Sequence, residues 1–185
     1  MAVDIQPILE NGKVALHPLA EKDFDALYAV ASDSKIWEQH PNKDRWKKEV
    51  FKTFFEGAII SKGAFKIIDQ TTGTTIGSTR FYDYNEPDSS IFIGYTFYAT
   101  AYWGTGINKI VKALMLDYIF QFVEKVHFHI GADNIRSQIA ISRIGAVKIA
   151  EQEVRYLGEA TKLNFVYEIT KQDWRELSDG NSETD

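Results

Sequence analysis

Two glycines flank a threonine at Gly104-Thr105-Gly106, directly ahead of a run in which Ile107, Ile110, Val111, Leu114, Tyr118 and Phe122 recur every three or four residues. That spacing predicts a helix beginning at the glycines. The first N–H groups of a helix have no partner inside it and carry the positive end of its dipole, so such a turn offers a seat for phosphate. Glycine lets the backbone come close. No Gly-Lys-Ser/Thr follows at the offset a nucleoside triphosphatase loop needs, and the third glycine of the dinucleotide fingerprint is missing. Nucleotide hydrolysis is therefore not the expected chemistry. Further along, Asn134 and Ser137 stand at the start of another helix-like run, where an amide or hydroxyl serves as a cap. His127 and His129 alternate on one strand face. Without a third ligand at recognisable spacing they predict a packed or partly exposed pair, and no metal is expected.

The elements that must hold these groups can be read from hydrophobic periodicity. Gly12 to Leu19 predicts a first strand and Glu21 to Ala31 a helix with Phe24, Leu27, Tyr28 and Ala31 on one face. A second helix places Trp46, Val50, Phe54 and Ala58 inward and Lys47, Lys48 and Lys52 in solvent, bracketed by Pro41 and Gly63. Ala64 to Asp69 and Thr75 to Tyr82 predict a hairpin across Gln70 to Thr74, with the next turn at Asn85 to Asp88. Ser90 to Tyr98, rich in β-branched and aromatic residues, is the strand that feeds the glycine turn. Val126 to Ile130 predicts a strand, Asn134 a cap on a helix to about Ile144, and Gly145 its left-handed end. Val147 to Tyr156 and Leu163 to Thr170 complete the sheet. The order predicts an α+β fold in a single domain over residues 1–177, with a polar, acidic and frayed tail at 178–185.

At 185 residues the chain can bury one sizeable core. A net charge of −5 excludes a general nucleic-acid binder, whose phosphate contacts need a basic surface, so any phosphate ligand must meet local positive charge. There is no cysteine, hence no disulfide framework, thiolate zinc site or cysteine nucleophile. No basic, apolar leader opens the sequence and no run approaches 18 apolar residues, which predicts a cytoplasmic protein with no membrane partner.

The window Ala101 to Gly106 resembles motif A of the GCN5-related N-acetyltransferases (GNATs), a Q/R-x-x-G-x-G/A loop that binds the pyrophosphate of acetyl-CoA. Most of the chain resembles the RimJ/RimL-like group, which includes acetyltransferases of ribosomal-protein N-termini. The likeness rests on Val14 to Leu19, Ile93-Gly94-Tyr95, Trp103 to Asn108, and Asn134-Ile135-Arg136-Ser137 with Ala140 and Ile144-Gly145-Ala146, in that order. It implies a mixed, mostly antiparallel central sheet flanked by helices, with the fourth and fifth strands splayed and the cofactor's pantetheine along the edge of the fourth. Phe97 and Tyr98 occupy that stretch, as strand packing or as cofactor contacts. By the same resemblance Trp103, Gly104, Thr105, Gly106, Ile107 and Asn108 bind the pyrophosphate. Asn134 and Ser137 approach the pantetheine, and Ser137 is the acid or thiolate stabiliser. Lys109, Lys112 and Arg143 are candidates for the outer phosphate.

The chain departs from the pattern where relatives carry Glu before Ile-Gly-Tyr, here Phe92, and Tyr four residues before the glycine of Gly145-Ala146, here Ile141. Ala101 replaces the opening Gln or Arg of the loop. Asp83, Glu86 and Asp88 are substitute bases only if they are not simply solvated turn residues. The implied function is an acetyl-CoA-dependent N-acetyltransferase, acting on a protein or peptide N-terminus or a small amine by direct attack in a ternary complex. The alternative is a degenerate relative that binds acyl-CoA or a protein partner without efficient chemistry.

Overall fold

The computed structural model describes residues 3–180. In chain order these form β1 (Leu9–Glu10), β2 (Val14–Pro18), α1 (Phe24–Ala31), α2 (Lys48–Ser61), β3 (Ala64–Asp69), β4 (Thr74–Asn85), β5 (Ser90–Tyr98), α3 (Ile107–Ile119), β6 (Lys125–Gly131), α4 (Ile135–Ser142), β7 (Val147–Val154), β8 (Lys162–Thr170) and α5 (Lys171–Gly180). The strands make one sheet in the order β1-β2-β3-β4-β5-β6-β8-β7, antiparallel at every junction except β5–β6. This is the mixed, mostly antiparallel α+β sheet expected from the sequence.

One face of the sheet is covered by α3, whose Val111, Met115, Leu116 and Ile119 pack with Leu16, Phe65, Ile91 and Ile93. The other face is covered by α1 and α2, where Leu27, Phe51, Phe54 and Phe55 pack with Trp37 and Phe97. Two expected helix faces are shifted. The buried ridge of α2 is Phe51, Phe54, Phe55 and Ala58, because that spacing turns three aromatic rings onto the sheet, whereas Trp46 precedes the helix and is 39% exposed. Helix α3 ends at Ile119, and Phe122 lies beyond it in solvent. Helix α5, which was not expected from the sequence, packs through Trp174, whose Nε1 donates to Asp117 Oδ1 at 2.7 Å. Residues 178–180 of the acidic tail belong to this helix, and 181–185 lie outside the described residues.

The site is made where the sheet parts. Strands β5 and β6 pair only at Ser90–Lys125, Ile91–Val126 and Phe92–His127. Beyond that point β5 stays with β4 as far as Tyr98, and β6 stays with β8 as far as Gly131. Within the free stretch β5 carries a bulge: Ser78 faces Phe97 and Arg80 faces Gly94, so Thr79 alone opposes Tyr95 and Thr96. Tyr95 sits at φ 54, in the left-handed region, where the backbone accommodates the extra strand residue. The bulge reverses which side chains face which layer. Ile91 and Ile93 face α3 before it and Tyr98 after it, while Phe97 turns to the α1–α2 layer.

Candidate active site

A cleft of about 750 Å³ follows this parting, lined at one end by Gly104, Gly106 and Asn108 and at the other by Arg45, Tyr82, Tyr95 and Tyr156. That size suits a small-molecule site. Gly104 and Gly106 lie at φ 74 and 83, and a Cβ at either would meet nothing within 4 Å. Backbone conformation, not crowding, thus demands glycine here, and the space beside the first turn of α3 is left open. Thr105 Oγ1 closes the turn by donating to the Tyr102 carbonyl at 2.7 Å, and Ile107 begins the helix half-buried against the core.

Trp103 is partly exposed, donates from Nε1 to the Tyr98 carbonyl at 3.3 Å, and carries the Arg136 guanidinium 3.9 Å above its ring. Arg136 is held in turn by the Ile36 carbonyl at 3.2 Å, and its backbone N–H donates to Gln39 Oε1 at 3.0 Å. Tyr98 is buried and donates to Asn108 Oδ1 at 3.0 Å. Phe97 is buried with its ring 5.0 Å from that of Trp37, so it is chiefly core packing that also closes the cleft wall. Asn134 is buried, and its Oδ1 accepts the Ser137 N–H at 3.2 Å as the cap of α4. The Ser137 hydroxyl, on the cleft wall, has no hydrogen-bond partner among the described residues.

Five basic side chains line the cleft, Arg45, Lys109, Lys112, Arg136 and Arg143, and among the described residues no carboxylate does. In a chain of net charge −5 this is the local positive field an anionic phosphate ligand needs. Lys109 and Arg143 are exposed beside the glycine turn and α4. Lys112 is not a surface clamp: it is 2% exposed, donates from Nζ to Thr96 Oγ1 at 2.7 Å, and burial pushes its amine down to about 7. Asp83, Glu86 and Asp88 are exposed and outside the cleft lining. Asp88 is bound by Lys125 Nζ at 2.8 Å, a hydrogen bond that holds its carboxyl below the usual range.

The end remote from the glycines holds groups that sequence spacing did not single out. Arg45, 3% exposed, donates from Nε and Nη2 to the two oxygens of Glu159 at 2.7 and 2.9 Å, and stacks 4.7 Å over Phe54. The pairing spans 114 residues, beyond any local signal. Behind Tyr95 lies Arg80, its guanidinium 3.9 Å from the ring and Nη1 donating to the Gly57 carbonyl at 3.2 Å. Its buried Nε has no partner. The pair of histidines divides: His127 Nε2 meets Glu168 Oε2 at 2.7 Å, while His129 lines the cleft. There Gln152 Oε1 accepts from His129 Nε2 at 3.2 Å, which leaves Nδ1 to accept from the Tyr82 hydroxyl at 3.3 Å. Burial holds His129 below its ordinary pKa, so at neutral pH it is an uncharged proton acceptor.

A family model described as an acetyltransferase (GNAT) domain matches residues 13–147. Comparison with curated protein sequences gives no match. Among solved structures, a GCN5-related N-acetyltransferase from Brucella melitensis superposes with a TM-score of 0.80 at 17% identity, covering 94% of this chain and 83% of that one. A spermidine N-acetyltransferase from Vibrio cholerae, solved with CoA and spermine, gives 0.68 at 15% identity over 89% of this chain and 99% of that one. The ribosomal-protein-S5-alanine acetyltransferase from Vibrio fischeri gives 0.66 at 16% identity over 91% and 99%. The model covers well over half of the chain and the parted sheet superposes on solved acetyltransferases, so the chain belongs to the GNAT family of acetyl-CoA-dependent N-acetyltransferases.

Proposed function

We propose that the protein acetylates the α-amine of a protein or peptide N-terminus, the amine attacking the thioester carbonyl directly in a ternary complex. Acetyl-CoA supplies the activated acyl group and a thiolate leaving group. In this reading the backbone N–H groups from Trp103 to Asn108 hold the pyrophosphate, with Lys109 and Arg143 beside them. Tyr98 and Asn134 shape the channel, and the unpartnered Ser137 hydroxyl donates to the departing sulfur. On the acceptor side Tyr82 and His129 form a short relay for the proton released from the amine.

The observation that carries the choice of acceptor is the lack of any carboxylate among the described cleft-lining residues. A site whose bases are imidazoles lowered by burial and a buried lysine held by Thr96, with no carboxylate, favours an amine that is already partly neutral. A terminal amine has a reference pKa of about 8 and lysine about 10.4, so a neutral lysine costs about 3 kcal/mol more at pH 7. Mass spectrometry on peptides that offer both amines tests it. Acetylation at the N-terminus, with rate rising toward the acceptor's own pKa, is expected. Predominant lysine acetylation, or turnover confined to polyamines, would overturn it.

A further inference from the structure

The end of the cleft away from the glycine turn has a charge surplus that the cofactor does not account for. Arg45 and Arg80 both lie there, 3% and 6% exposed. One carboxylate, Glu159, answers them, and both its oxygens are taken by Arg45. Arg80 has no acidic partner: it has the Gly57 carbonyl, the face of Tyr95 and a bare Nε. Arg45 Nη1 likewise has no hydrogen-bond partner among the described residues, on a side chain that lines the cleft.

The remaining titratable groups at this end are uncharged at neutral pH. Burial raises the hydroxyls of Tyr82, Tyr95 and Tyr156 above their ordinary range. Burial together with Arg45 and Arg136 pushes His40 down to about 3, and burial lowers His129. Arg80 itself falls only to about 10, so it stays a cation. Asp83, exposed on β4 and outside the lining, is close enough to act on Tyr82, Tyr95 and His129, but water screens it more than it screens the buried arginines. Of the two buried cations, Arg45 lines the cleft and is paired with Glu159, while the Arg80 charge lies one aromatic ring behind the cleft wall with no anion of its own.

We propose that this end selects an acceptor amine that carries a carboxylate close to it: an acidic residue next to the N-terminus, or the terminal carboxylate of a very short peptide or amino acid. The inference rests on the N-terminal reading for its amine and adds the charge of its neighbour. A carboxylate supplies the missing counter-charge to Arg45 and Arg80 in a desolvated pocket, where such pairing is strong. A polycation such as spermidine meets like charge instead, and like charges placed together across an interface suppress binding. The same surplus disfavours an ammonium and so lowers the pKa of the bound acceptor amine, which assists a site whose base is weak.

The test is isothermal titration of acceptors onto the protein saturated with CoA, run beside acetyl-CoA turnover. The acceptors are C-terminally amidated tetrapeptides with Asp, Ala or Lys in second position, one dipeptide as free acid and as amide, and spermidine. The Asp peptide is expected to exceed the Ala peptide by about tenfold or more in both affinity and kcat/KM, with the Lys peptide and spermidine weakest. A gain for the free-acid dipeptide over its amide assigns the carboxylate to the chain terminus, and a gain confined to the Asp peptide assigns it to a side chain. Glu159→Gln should widen the Asp-to-Ala ratio and Arg80→Gln should narrow it. Glu159, on the β7–β8 connection, keeps the comparison available should Arg80→Gln not fold. Equal binding of the Asp and Ala peptides, or spermidine ahead of both, overturns the proposal. Turnover of every peptide regardless of charge would do so while leaving the N-terminal reading intact. Selective binding of the free-acid dipeptide without acetylation of any peptide would uphold the charge preference and remove that reading.

Discussion

The Arg136 guanidinium lies 3.9 Å from the centre of the Trp103 ring and so ties α4 to the glycine turn across the mouth of the cleft. The two residues come from opposite banks of the parted sheet, one after β5 and one after β6. Their contact fixes the distance between the two helix N-termini that line the cleft.

Arg136→Ala should raise KM for acetyl-CoA with little change in kcat. A contact of this kind contributes about 0.5–2 kcal/mol, which corresponds to between about twofold and thirtyfold. Initial-rate measurements at saturating acceptor check it, and a fall in kcat alone would place Arg136 in the chemistry instead.

Gly106→Val should abolish the rise in melting temperature that saturating acetyl-CoA produces. The wild-type shift corresponds to about 2.7 kcal/mol when the ligand stands at 100 times its dissociation constant. The variant still folds, because a Cβ at this position meets no neighbour and the penalty is confined to a left-handed residue, about 1–2 kcal/mol. Differential scanning fluorimetry with and without acetyl-CoA reads both effects.

Asn134 and Ser137 should separate cleanly. Asn134→Ala removes the cap of α4, costing about 1 kcal/mol and about 2–4 °C of melting temperature. Ser137→Ala leaves the cap untouched, since that bond uses the Ser137 backbone N–H. Its expected effect is a loss of about 10²-fold in kcat with unchanged stability. Lost stability without lost turnover would assign the Ser137 hydroxyl to structure.

Lys112 should make the fold sensitive to pH. Burial pushes its amine from the ordinary lysine value of 10.5 down to about 7 in the folded chain, and unfolding restores the ordinary value. Between those values the unfolded chain binds a proton that the native one does not, so stability rises with pH across that window and the penalty is complete below about 7. Lys112→Met should therefore melt higher than wild type, by the largest margin near pH 6 and by little near pH 10. Melting curves of the two proteins across that range decide it, and a constant difference would refute the assignment.

The parts of this site that are local in sequence were legible. The glycine turn, the strand ahead of it and the Asn134 cap each depend on a few consecutive residues with one structural solution. The facing of Phe97 and Tyr98 was not, because the bulge at Tyr95 inverts the alternation and depends on pairing with β4. Lys112 read as a candidate for the outer phosphate, since nothing near it in sequence reveals that α3 buries it over Thr79 and Thr96. The Arg45–Glu159 pair joins segments 114 residues apart and carries no pattern at all.

The three-pair joint between β5 and β6 has a mechanical meaning. It welds two stiff plates, β1 to β5 and β6 to β8, along a short seam, and past the seam the two free edges have only each other's side chains and whatever fills the gap. A molecule laid between them acts as a brace that couples the plates. Backbone amides along residues 93–98 and 128–131 should thus exchange with solvent far more slowly in the CoA-loaded protein than in the free one, while those of β2 and β3, inside one plate, stay as they were.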